Sequence, residues 1–114
     1  MGYDHEPFPT EFTASSRTGS VVVTTTEQGL PLGIEVDRDR LRGDLGPLAR
    51  EIVLLCRQAA SRAGMERREH LRAAGLAPEH LALTRLPTAE EVARQEYADE
   101  QDYEDEPDSW LRPV

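Results

Sequence analysis

The chain has 114 residues, 31% of them charged and 38% hydrophobic, with 22 acids against 13 bases and a net charge of -9. That is enough for one small domain with polar tails and too little for two. No apolar run approaches the ~18–20 residues of a membrane helix. Residues 1–10 carry acids and prolines in place of the apolar core of a secretory leader, and the lone Cys56 can form no internal disulfide, so a reducing cytoplasm is expected.

Residues 1–10 read as disordered, with Phe8 isolated between Pro7 and Pro9. Residues 11–16 suit a short strand with Phe12 and Ala14 on one face, and Arg17, Thr18 and Gly19 suit a turn. Residues 20–26 are the clearest strand, since positions 21–26 are all β-branched. Glu27, Gln28 and Gly29 form a hairpin loop in which Gly29 accommodates a positive φ. The returning strand spans 30–37, with Leu30, Leu32, Ile34 and Val36 alternating on one half-buried face and Pro31 marking an edge or a bulge.

After a charged connection, Asp44 is placed to cap a helix whose first turn contains Pro47. Leu45, Leu48, Ala49, Ile52, Leu55, Cys56, Ala59 and Ala63 then recur at the three- and four-residue spacings of an amphipathic helix. Gly64 ends or weakens it, and Gly75 stops a second, highly charged stretch. Residues 76–85 are interrupted by Pro78, with Leu76, Leu81, Leu83 and Leu86 available to pack back on the sheet. Thr88 and Glu91 have the spacing of a capping box at the start of a helix expected to reach Asp99. The fold class is therefore α+β: a three-stranded antiparallel meander and a long amphipathic helix over 11–75, a connecting segment and C-terminal helix over 76–101, and an acidic disordered tail over 102–114.

The charge is uneven. Between Glu90 and Asp108 lie ten acids and one base, Arg94, whereas the remainder holds 12 of each sign. Nine arginines against five acids between Arg38 and Arg72 read as a solvated helix face, so nucleic-acid binding, which needs a basic surface to displace counterions, is not expected.

Nothing in the chain assembles a catalytic, cofactor or metal site. The serines lie in no nucleophile elbow, and His5, His70 and His80 are scattered. Cys56 falls on the apolar stripe, where a cysteine is a small hydrophobe. Glu66 and His70 share a helix face but supply only two ligands, and the acids at 102–108 lack the glycine and spaced glutamate of a calcium loop. Tyr97, Tyr103, Trp110 and Leu111, set among acids, are the candidate partner-binding residues; Trp110 either meets a partner or folds back on its own domain. Val22, Leu32, Ile34 and Leu55 are the candidate dimer or client surface.

The run Gly19-Ser20-Val21-Val22-Val23-Thr24, then Gly29, then Ile34-Glu35-Val36-Asp37, followed by the alanine-bearing helix, resembles the YbaB/EbfC family. That resemblance implies the same meander and helix, and a homodimer. Phe12-Thr13, the later Leu86-Pro87-Thr88-Ala89-Glu90-Glu91, Tyr97 and Asp102-Tyr103 resemble the EspH family of cytosolic accessory proteins in mycobacterial type VII (ESX) secretion. This second resemblance implies a chaperone or adaptor that binds an ESX substrate. YbaB proteins begin with a helix, for which the ten residues before the first strand leave no room, so YbaB-type DNA binding is the alternative and not the leading expectation.

Overall fold

The computed structural model describes residues 8–104, the last three as backbone only. Three strands, β1 (Phe12–Ser15), β2 (Val21–Thr25) and β3 (Pro31–Val36), form an antiparallel sheet in the order β1-β2-β3. A 3-10 turn (Arg38–Leu41) leads to the long helix α1 (Gly46–Ala73), then α2 (Pro78–Thr84) and α3 (Ala89–Glu104).

Both hairpins follow from local chemistry. Gly19 and Gly29 adopt φ of 77° and 90°, a region closed to most side chains. Gly29 is also pressed against α1, where an added Cβ would lie 3.0 Å from the Ala60 Cβ and 3.1 Å from the Cys56 carbonyl oxygen. The register pairs Phe12 with Thr25 and Ala14 with Val23 on one side, and Val21 with Val36 and Val23 with Ile34 on the other. An irregularity at Thr24/Thr25 leaves Leu32 as the extra residue of β3, next to Pro31.

The core lies between α1 and the first two strands. Phe12, Ala14, Val21 and Val23 meet Leu48, Leu55, Ala59 and Ala63 in one buried cluster. Thr25 is fully buried as well, its hydroxyl donating to the Thr26 carbonyl at 2.8 Å. Phe8 is not isolated: its ring packs on Phe12 and edge-on against His70, with the Arg67 guanidinium 3.9 Å above its centroid. The remaining expectation for the N-terminus falls on residues 1–7, outside the described residues.

The N-cap of α1 is Leu45, which forms no side-chain cap bond, and not Asp44; the Asp44 carboxylate, one residue earlier, accepts the Gly46 N–H at 3.0 Å, and Pro47 occupies the first turn of α1. Gly64 does not end the helix; α1 runs through it to Ala73, and Gly75 at φ 103° marks the stop. Gly64 serves another purpose. It is buried, and a Cβ there would sit 2.8 Å from Pro87 Cδ, so its bare backbone admits the segment between α2 and α3.

Residues 76–85 form no packing layer on the sheet. Pro78 starts a two-turn helix there, Leu81 is buried where α2 meets α1, Leu83 faces solvent, and Arg85 closes the helix at φ 61°. The capping box is present at α3: Thr88 N–H donates to Glu91 Oε1 at 2.9 Å, and Glu91 N–H donates to Thr88 Oγ1 at 3.1 Å. The helix continues past Asp99 to Glu104, so 102–104, expected in the disordered tail, are helical; the rest of that tail lies outside the described residues.

Candidate functional site

One helix covers about two strands, because its ~10–12 Å diameter is twice the ~4.8 Å strand spacing. Here α1 lies across β1 and β2, and β3 is left at the margin. Ile34 pairs directly with the buried Val23 and therefore points to the same side of the sheet, yet it is 44% exposed. Leu32 is 56% exposed and Leu30 is open as well. The expectation that 30–36 present a half-buried face against the helix stripe is thus corrected: the alternation is real, but only Val36 packs against the core.

The flank of α1 beside β3 is apolar too. Ile52 and Cys56 pack partly against the core, Ala60 touches the β2–β3 loop, and Ala49 and Val53 are exposed. At 100° per residue the apolar arc of α1 from Leu55 round to Val53 spans roughly 160°, wider than contact with two strands uses. Leu41 and Leu45 are exposed in the connection leading into α1. Leu32 and Ile34 of β3, with Ile52, Val53 and Cys56 on the flank of α1 towards that margin, make up an apolar shelf.

The opposite flank of α1 is polar and closed. Arg62 Nε donates to Glu96 at 2.6 Å and Gln58 to Asp99 at 3.2 Å, while Val92 is buried beneath α3. The Glu96 carboxylate raises the Arg62 pKa further above its ordinary range. A cleft of about 450 Å³ along this seam is lined by Leu54, Gln58, Ser61, Val92, Glu96 and Asp99. Arg67 forms a two-pronged contact with Glu27, both bonds 2.8 Å, which ties α1 to the hairpin loop and holds the Glu27 pKa below the usual carboxylate range. Arg40 bridges the Ser20 hydroxyl and Glu51, fixing the 3-10 turn to both layers.

Of the residues singled out in the sequence, the structure brings Leu32 and Ile34 together on the shelf. Leu55 is corrected: at 3% exposure it lies in the sheet–helix core, because the stripe residue nearest β2 points inward and not to a partner. Val22 is half-buried on the other face of the sheet, away from α1. Tyr97 stands 68% exposed on α3. The side chain of Tyr103, and Trp110 and Leu111, lie outside the described residues. Val53, Leu41 and Leu45 were not singled out as surface; for Val53 the signal was the excess width of the apolar arc, and Leu41 and Leu45 lie before α1.

Among the described residues, no group of three or more His, Cys, Asp or Glu side chains is placed to hold a metal ion, and no helix is long and apolar enough to cross a membrane. No protein-family model, curated protein or solved structure matches the chain.

Proposed function

We propose that this chain is a non-enzymatic binding protein, a cytoplasmic chaperone or adaptor that holds a secreted partner by protein–protein contacts before type VII (ESX) export. The observation that carries the reading is the apolar shelf of Leu32, Ile34, Val53 and Cys56 beside an open strand edge. Such a surface invites aggregation, and it is retained where a partner covers it. The class of partner rests on the EspH resemblance. Its most specific segment, residues 86–91, contains Pro87, which fills the space at Gly64, and the capping box that starts α3.

The alternative, a nucleoid-associated DNA binder of the YbaB type, draws less support. Arg40, Arg62, Arg67 and Arg72 are each engaged by a carboxylate, which removes much of the local positive excess. A gel-shift assay at ~50 mM salt, where phosphate contacts are strongest, tests it; no shift is expected at micromolar protein.

The leading reading is tested by tagged capture from the host of origin, with identification of what is bound. A type VII substrate should be recovered by the natural chain and lost with Leu32→Asp, while the helical circular-dichroism signal stays intact. Recovery of no secretion component would overturn it.

A further inference from the structure

We infer that the free edge of β3 takes up an extended segment of the client as a fourth, antiparallel strand, and that this segment alternates apolar with basic residues. This rests on the shelf being a protein-binding surface and states the chemistry of what docks at its edge.

The backbone sets the direction. Asp37 N–H donates to the Ser20 carbonyl at 2.8 Å, which makes Ser20 and Asp37 a hydrogen-bonded pair. Antiparallel pairs alternate, so Val22/Glu35 bonds across the strands, whereas Val21/Val36 and Val23/Ile34 do not. The N–H and C=O groups of Ile34 and Val36 therefore point away from β2, to the open edge. Among the described residues, no turn or loop hydrogen bond uses these four groups. An incoming antiparallel strand satisfies all four through the two residues that lie opposite.

The inner face of β3 calls for apolar partners. Ile34 and Val36 pair with the buried Val23 and Val21, so they point to the α1 side. Residues of a new strand that lie opposite them point there too, and extend the apolar row. The new strand lies roughly 5 Å further from α1 than β3 does, so these positions call for large aliphatic side chains and not alanine. Pro31 lacks a donor and ends the ladder, which leaves a docked stretch of about five residues opposite 32–36, ~17 Å long.

The outer face calls for bases. It presents Gly33 and Glu35, and Asp37 continues the alternation just past the strand end. Neither carboxylate forms an ion pair among the described residues. No basic residue lies in any of the three strands, so Glu35 is their one charge. The space over Gly33 is open, since an added Cβ there would meet nothing within 4 Å. An arginine or lysine opposite Gly33 can lie across the bare backbone with its charge diagonal to Glu35, and one opposite Glu35 meets it directly. The net charge of -9 attracts the same sign of partner at longer range.

That charge also weighs against the simplest competitor. A second copy pairing antiparallel on this edge would bring two Glu35 carboxylates to one face, with no base on either strand to offset them. The other edge of the sheet is a poorer acceptor. β1 has four residues, and its α1-side residues Phe12 and Ala14 are already buried.

The test uses the full chain and a synthetic, end-capped nonapeptide of alternating isoleucine and arginine, N-methylated at its arginines. Those N–H groups face away from β3, so the methyls leave docking intact and stop the peptide from stacking on itself. Binding, followed by fluorescence anisotropy, is expected together with slowed exchange of the Ile34 and Val36 amides. N-methylation at the isoleucines instead removes the donors that reach β3 and should weaken binding at least ~10-fold. A peptide with glutamate in place of arginine should bind at least ~10-fold more weakly, and Glu35→Lys should narrow or reverse that preference. The peptide and exchange readouts need no variant, so misfolding of Glu35→Lys leaves the question decidable. Absence of binding overturns the inference, as does binding that leaves the Ile34 and Val36 amides unchanged, or equal affinity for the basic and acidic peptides. Slowing of those amides as protein concentration rises without peptide would assign the edge to a second copy and overturns it too. If the edge takes no peptide and Leu32→Asp still abolishes capture of a type VII substrate, strand docking fails and the proposed function stands. If the peptide docks and capture yields no secretion component, the proposed class of partner fails and the docking stands.

Discussion

The two flanks of this small fold are built from similar residues and end differently. On the β1 side, Phe12 and Ala14 are buried beneath α1, and α3 closes the neighbouring flank of the helix through Val92, Arg62–Glu96 and Gln58–Asp99. On the β3 side, Leu32 and Ile34 point the same way and meet nothing comparable. Val23 and Ile34 make the contrast sharpest: they are directly paired and both branched aliphatics, one fully buried and the other 44% exposed. Hydrophobicity alone does not decide burial here. The number of strands one helix can cover does.

The largest effect should separate the flanks by stability. Phe12→Ala removes a buried ring and should lower the unfolding free energy by about 3–4 kcal/mol in urea denaturation. Leu32→Ser should change it by less than ~0.5 kcal/mol. Equal costs would mean that β3 is covered after all.

Gly64→Ala comes next, and it probes how the closed flank is held. The new methyl would meet Pro87 Cδ at 2.8 Å, inside contact distance, and displace the segment leading to α3. Overpacking of this kind costs about 1–3 kcal/mol, offset by the ~1 kcal/mol that alanine gains over glycine within a helix. A net loss of up to roughly 2 kcal/mol is expected, with faster amide exchange in α3 and unchanged exchange in β2. An alanine variant more stable than the natural chain would show that Pro87 moves aside freely.

Much of this was legible in the sequence. The β-branched run at 21–26, the glycine turns, the helix stripe and the Thr88–Glu91 box all state local rules, and the structure follows them. What the sequence withheld was coverage. The alternation of Leu32, Ile34 and Val36 declares a face and says nothing of what lies on it. Leu55 and Val53 sit on one apolar arc of α1, and only the placement of the sheet buries the first and bares the second. Gly64 reads as a stop or a weak point because its real reason, Pro87, lies 23 residues further along the chain. Pro78 looked like a breaker, although proline at the first helical position starts a helix as readily as it ends one.

The smallest effects concern the start of α3, where the closed flank depends on two hydrogen bonds. Thr88→Ala removes the hydroxyl that accepts the Glu91 N–H and should cost about 1 kcal/mol, seen as faster exchange in the first turn of α3. Acid should act on the partner bond. The Glu91 carboxylate accepts the Thr88 N–H, and this holds its pKa below the ordinary value. A carboxylate with a depressed folded-state pKa contributes stability that is complete above its unfolded pKa and is lost as pH falls through the folded one. The first turn of α3 should therefore loosen as pH drops below ~4.3, ahead of β2, whose amides serve as the internal reference. Glu91→Gln keeps a side chain of the same length and acceptor without the charge, so in that variant the acid dependence should flatten. If α3 and β2 open together at every pH, the helix is held by Val92 and its ion pairs alone, and the cap contributes nothing separable to closing that flank.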